Sequence, residues 1–206
     1  YPAQAQSLLS TTTFNGHLDR ADYALGITVS TAGPIYTTGS TDNTSNQNQI
    51  WTAKFSSDLV FQSSHVITSN PGASTSGRGI VAANGKVYVV GMIAADALIV
   101  RYSPELVFES SYTLAGNLGA DDFANEIIVD PQGTLFVVGR MVESVGVGNG
   151  WIAKFDPNLV LLASSTFNSG GSDDSLWGIA RKSDGDLLTA GVIEPGGEKK
   201  IWIGRY

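Results

Sequence analysis

The feature that most constrains this chain is that it repeats itself. Four segments end in a basic residue followed by an aromatic: Lys54-Phe55, Arg101-Tyr102, Lys154-Phe155 and Arg205-Tyr206. The aromatics are 47, 53 and 51 residues apart. Ahead of each pair stands a glycine turn, an apolar run and a second glycine: Gly33 to Gly39, Gly85 to Gly91, Gly133 to Gly139 and Gly185 to Gly191. Ahead of those lie short strand-like runs, Ala24–Val29, Gly77–Ala82, Ala124–Val129 and Leu176–Arg181. Asn84-Gly85 and Asp184-Gly185 are tight-turn dipeptides that tolerate positive φ. Ser103-Pro104 and Asp156-Pro157 open turns in which proline fixes φ. No ten-residue stretch holds an apolar 3.6 period, so helix is not expected.

Four short strands per unit of roughly 50 residues is the pattern of a β-propeller blade. The chain therefore reads as one all-β domain over 1–206, with blades at about 17–70, 71–118, 119–170 and 171–206. The fourth unit stops after its third strand. Leu8–Asn15 (LLSTTTFN) parallels Leu161–Asn168 (LLASSTFN), so residues 6–16 are expected to supply the missing outer strand and close a four-bladed ring. Pairing Leu8–Thr13 with Ile201–Arg205 would remove an unpaired strand edge.

The repeats also resemble a known family. Asp22-Tyr23-Ala24-Leu25-Gly26-Ile27-Thr28-Val29, followed by Gly33-Pro34-Ile35-Tyr36-Thr37-Thr38-Gly39, is similar to the bacterial SBBP-type β-propeller repeat. Thr166-Phe167 before Gly170-Gly171 echoes the segment that precedes that pattern. The second unit departs, with Ser74-Thr75-Ser76-Gly77-Arg78 in place of the Asp-aromatic pair. The resemblance implies a propeller, usually a larger ring, in a secreted or surface protein. It implies no common chemistry.

Composition narrows function by exclusion. Twelve basic against nineteen acidic residues give a net charge of −7, which disfavours nucleic acid and other polyanions as partners. The absence of cysteine removes disulfides, thiol catalysis and thiolate metal sites. Charged residues are only 15%, against about 25% in ordinary domains, with Gly, Ser, Thr and Asn filling the gap. Ala3-Gln4-Ala5 matches the tail of a removed export signal, and it also reads as part of a polar arm. The longest apolar run, Val87–Val100, is broken by Gly91 and Asp96 and is too short for a membrane span. These features fit a secreted or cell-surface protein.

Aligning the repeats brings Asp22, Thr75, Asp122 and Asp174 to one position at the start of the inner strands. Three residues on stand Leu25, Arg78, Asn125 and Trp177, different in every blade. Three carboxylates near a channel mouth invite Ca²⁺, but no calcium-loop motif is present. The simpler reading of the aspartates is a turn cap, or an ion pair with Lys54, Arg101, Lys154 or Arg205. No metal or other cofactor is therefore expected. Arg78, Asn125 and Trp177 combine a cation, an amide and an aromatic plate, which suits a sugar, while Trp177 also reads as interblade packing. Together with Asp22, Asp122 and Asp174 they form the candidate ligand-binding set. Long loops at Thr41–Asn48, Val142–Asn149 and Glu194–Lys200 gather on the same rim. No catalytic residue stands out: there is no G-x-S-x-G elbow, and His17 and His65 fall in different parts of the repeat. The reading is a non-enzymatic extracellular binding module for a protein or glycan. The alternatives are a polysaccharide hydrolase or lyase using channel-mouth carboxylates, and a subunit of a surface layer or filament.

Overall fold

The computed structural model describes residues 10–13, 22–42, 48–70, 73, 75–116, 120–144, 146–171 and 173–206. Its strands are all antiparallel and form four sheets in chain order. Blade 1 holds β1 (Tyr23–Val29), β2 (Ile35–Asp42), β3 (Asn48–Phe55) and β4 (Phe61–Ile67). Blade 2 holds β5 (Thr75–Ala83), β6 (Lys86–Ile93), β7 (Asp96–Tyr102) and β8 (Phe108–Leu114). Blade 3 holds β9 (Phe123–Val129), β10 (Leu135–Ser144), β11 (Val147–Phe155) and β12 (Leu161–Phe167). Blade 4 has three strands, β13 (Ser175–Arg181), β14 (Leu187–Ile193) and β15 (Lys200–Arg205). The helical content among the described residues is one 3₁₀ turn at Pro195–Gly197.

Each blade has two unlike faces, because side chains alternate along a strand. One, the leading face, looks to the preceding blade and carries an inner-strand isoleucine, a third-strand Trp or Leu and the aromatic of the basic-aromatic pair. The other, the trailing face, looks to the following blade. Tyr36 and Ile50 of blade 1 meet Ile80, Leu98, Val100 and Tyr102 of blade 2. Tyr88, Val90 and Ile99 of blade 2 meet Ile127, Trp151, Ala153 and Phe155 of blade 3. Val138 and Ile152 of blade 3 meet Leu176, Leu187 and Trp202 of blade 4. The recurring third-strand tryptophans are thus core residues: Trp51 and Trp151 are buried, and Trp202 stacks on Phe167 with centroids 4.9 Å apart. At the rim, Tyr36 Oη donates to the Pro104 carbonyl (2.8 Å) and Tyr88 Oη to that of Pro157 (3.1 Å), each in the following blade's third-to-fourth strand turn.

The same irregularity interrupts every inner strand. Ladder pairing skips Leu25, Arg78, Asn125 and Trp177 in turn, so each is the extra residue of a β-bulge. Opposite each bulge lies the second-strand glycine of the repeat. A Cβ on Gly39, Gly91, Gly139 or Gly191 would run into the carbonyl oxygen of Tyr23, Ser76, Phe123 or Ser175. The repeated glycine is therefore required by close backbone approach, not by a turn.

Closure by the N-terminal strand is not shown, and one loop expectation needs correction. Of the N-terminal strand predicted to close blade 4, Leu8, Leu9, Phe14 and Asn15 lie outside the described residues. Ser10–Thr13 are exposed and carry no strand pairing. Thr12 lines a cavity with Asp22, Tyr23 and Trp51 of blade 1, and β15 pairs only with β14 among the described residues. Packing runs from blade 1 through blade 4, and no comparable packing joins blade 4 to blade 1 among the described residues. The correction concerns Val142–Asn149, whose described residues are mainly strand. β10 and β11 stay paired out to Ser144↔Val147, and Asn149 Nδ2 donates to Glu143 at 2.8 Å.

The bulge makes a direct prediction. Gly91→Ala should cost about 3 kcal/mol, the upper end for overpacking, because both clashing groups are backbone. Gly85→Ala sits at φ +69° in an open turn with nothing within 4 Å of the added Cβ. It should cost only about 1–2 kcal/mol, the strain of a left-handed residue. Urea titrations of the two variants measure the difference.

Candidate functional site

Asp122 and Asp174 sit where the sequence places them, at the start of inner strands, but they do not face a ligand. Both are buried. The Asp122 carboxylate accepts from the N–H of Gly116, in the segment entering blade 3, and from that of Val142 on β10 (2.7 Å). The Asp174 carboxylate accepts from Ser169 N–H, Ser169 Oγ (2.8 Å) and Glu194 N–H (2.9 Å). Their own N–H groups donate to the preceding blade, Asp122 to Ala95 (2.7 Å) and Asp174 to Gly148 (2.8 Å). Each is a clamp that staples the incoming chain to its blade. Burial pushes the Asp122 carboxyl up from the ordinary Asp range, against the pull of the two N–H donors. The turn-cap reading is the one the geometry forms. The third-strand cations go elsewhere: Arg101 pairs with Glu109 (2.9 Å), Arg205 with Asp186, and Lys54 and Lys154 lie over the rings of Tyr36 and Phe136. Asp22 stands apart from the other two, on the cavity of blade 1.

The bulge residues form a chain along the inner rim. The Arg78 guanidinium lies 4.1 Å over the Phe123 ring and donates to Asn125 Oδ1 at 2.8 Å. Asn125 Nδ2 donates onward to the Leu176 carbonyl at 2.8 Å. Three blades are thereby linked through residues that the ladder leaves unpaired. Burial lowers the Arg78 pKa, and Asp121 works against it. Trp177, next in the series, is 55% exposed and caps no further blade among the described residues.

A cavity of about 360 Å³ opens beside this chain, with Arg78, Phe123, Ser175 and Trp177 among its walls. Its remaining polar lining is Arg140, Asp173 and Lys199, of which Lys199 belongs to the rim loop Glu194–Lys200 singled out in the sequence. Asp173 Oδ1 accepts from Arg140 Nε and Oδ2 from Lys199 Nζ, both at 2.8 Å. Arg140 also donates to the Asp121 carbonyl at 3.0 Å. The bond from Lys199, assisted by Arg140, holds the Asp173 carboxyl below the usual Asp range. The sequence signal for Arg140 was its place after the repeated glycine, where the other blades carry Ser40, Met92 and Val192. The cavity thus presents three cations, one fully engaged carboxylate and an exposed indole. His65 lies outside it, against Tyr102 Oη (3.3 Å), with its pKa lowered by burial.

No protein-family model matches the chain, and no curated protein matches it in sequence. Solved structures do match in fold. A protein of unknown function from Dyadobacter fermentans superposes with a TM-score of 0.62 at 9% identity, over 89% of this chain and 65% of that one. One from Bacteroides caccae gives 0.52 at 14% identity, over 89% and 60%. A neuraminidase-like protein from A/bat/Guatemala/164/2009 gives 0.55 at 14% identity, over 89% and 50%. These likenesses establish a propeller-like all-β fold. The chain spans half to two thirds of the length of these structures. No helix among the described residues is long and apolar enough to cross a membrane.

Two measurements test this account. Asp122→Ala leaves the Gly116 and Val142 N–H groups without their acceptor and should cost about 2–3 kcal/mol in chemical unfolding. Asp173 should titrate below the ordinary carboxylate range by NMR. Because its folded pKa is depressed, its contribution to stability is fully present above about pH 4 and is lost as pH falls through the folded value. Lys199→Ala should move that titration back toward the ordinary value.

Proposed function

We propose that this chain is a non-enzymatic, exported binding module that takes a glycan in the cavity beside Trp177. The observation that carries the reading is the exposed indole of a bulge residue, set next to fixed donors from three blades. A sugar presents an apolar ring face and a girdle of hydroxyls. Trp177 offers a plate for the first, while Arg78, Arg140, Lys199 and Ser175 offer donors for the second. The volume of about 360 Å³ is at the scale of small-molecule sites. The low charge, the absence of cysteine and the repeat resemblance support a place outside the cytoplasm.

Binding is favoured over hydrolysis by the state of the carboxylates. Glycoside cleavage ordinarily takes two, one of them held protonated as an acid. Among the described residues lining the cavity Asp173 is the one carboxylate, and Arg140 and Lys199 keep it ionised. Asp122 and Asp174 are committed to backbone clamps.

A glycan array read with the purified chain, followed by fluorescence titration of the best hit, tests this reading. Trp177→Ala should weaken binding by about 1–3 kcal/mol, as removal of an aromatic anchor does, with little change in the melting temperature. Unchanged affinity in that variant, or cleavage of the bound glycan, overturns it.

A further inference from the structure

Three arginines among the described residues are half-buried, and two of them sit on carboxylates: Arg101 on Glu109 and Arg140 on Asp173. The third, Arg78, does not. Among the described residues its guanidinium makes one hydrogen bond, from Nη1 to Asn125 Oδ1, and no ion pair. Its Nε is buried and donates to nothing among them. The Phe123 ring beneath it and the Asn125 amide offset part of the cost of taking a charge out of water, but neither carries a negative charge. Asp121 acts on Arg78 only through space, and burial, the larger influence, opposes the charge.

Arg78 forms part of the wall of the cavity that holds Trp177. It belongs to the junction of blades 2 and 3, with a described blade on either side. Among the described lining residues three cations face one carboxylate, a surplus of two positive charges in a chain whose net charge is −7. That carboxylate, Asp173, is already shared by Arg140 and Lys199 and makes no ion pair with Arg78. Glu194 acts on Lys199 through space. The recess is therefore basic, and its most buried cation is the one that the protein does not neutralise.

On the premise that the cavity takes a glycan, we propose that the glycan is acidic: a carboxylate or sulfate ester on the sugar supplies the negative charge that Arg78 lacks. Both groups offer what the site asks for, anionic oxygens that accept from a guanidinium in charge-assisted bonds. Trp177 keeps the ring face. Arg140 and Lys199 stay with Asp173 and add their positive field. The negative charge of the whole chain disfavours long polyanions, whereas a short acidic glycan brings one or two charges into a single basic recess.

A glycan array holding neutral, uronate-bearing and sulfated oligosaccharides, read with the full chain, should give its strongest signals on the acidic members. Each acidic hit is then titrated against its own neutral form, the methyl ester of a uronate or the desulfated sugar, which separates the two anions. The neutral form should bind about tenfold or more weakly. Raising NaCl from about 50 to about 300 mM should weaken the acid and leave the neutral form nearly unchanged. Arg78→Gln should bring the acid down to the affinity of its neutral form, whereas Trp177→Ala should weaken both alike. If Arg78→Gln fails to fold, Lys199→Gln, at an exposed side chain, should narrow the gap between the two forms by about threefold. Equal binding of acidic and neutral forms, hits confined to neutral glycans, or a gap indifferent to these variants overturns the acidic reading and leaves the glycan reading standing. An array without a hit overturns both.

Discussion

The structure depends on one backbone arrangement: a bulge in each inner strand closing over a glycine in the second. The bulge turns the chain so that a carbonyl presses into the space a Cβ would fill. Only glycine permits that approach, and so the glycine recurs in every unit while its neighbours drift. The arrangement does two things together. It bends the inner strand, as bulges do, and it frees one side chain per blade from the alternation that would send it into an interblade face. In blades 2 and 3 that side chain reaches across to the next blade; in blade 4 it is left in the open.

Much of this was legible in the sequence, for a physical reason. Strand periodicity, turn dipeptides and the basic-aromatic pair are local features, and a repeat shows each of them four times. The variable position at Leu25, Arg78, Asn125 and Trp177 was also visible, as the place where the units disagree. The bulge behind it was not, because it exists only in the pairing of two strands. The linking of Arg78 to Asn125, and of Asn125 to Leu176, depends on which blade sits beside which. Arg140 and Asp173 were not legible as site residues, and Lys199 only as part of a rim loop, because the three come from separate segments that only the fold brings together. The closing strand expected from Leu8–Asn15 rests on sequence likeness to an outer strand, and half of that segment lies outside the described residues.

The aspartates show how a repeated charge can be structural. A carboxylate that receives two or three N–H donors satisfies backbone groups that a loop entering a sheet would otherwise leave orphaned. Asp122 and Asp174 do this at each entry to their blades, while their own amides tie back to the blade before. Their neighbours Asp121 and Asp173, one position earlier, stay nearer the surface. Asp173 there works as a counter-ion that fixes Arg140 and Lys199 in place. One step along the strand separates scaffold from site, which is the ordinary consequence of side chains alternating between faces.

Serial packing of the blades has a kinetic side. Among the described residues, blades 2 and 3 each lean on two neighbours, and blades 1 and 4 on one. In architectures where each unit touches only those beside it, stability is close to a sum over units and shared boundaries. Among the described blades, opening should then begin at blades 1 and 4, whose amide hydrogens should exchange before those of blades 2 and 3. Blade 4, which holds Trp177, is among the first to loosen, and the wall of the cavity it provides is accordingly the more pliable one. The opposite wall, at Arg78 and Phe123, rests on the two blades that open last.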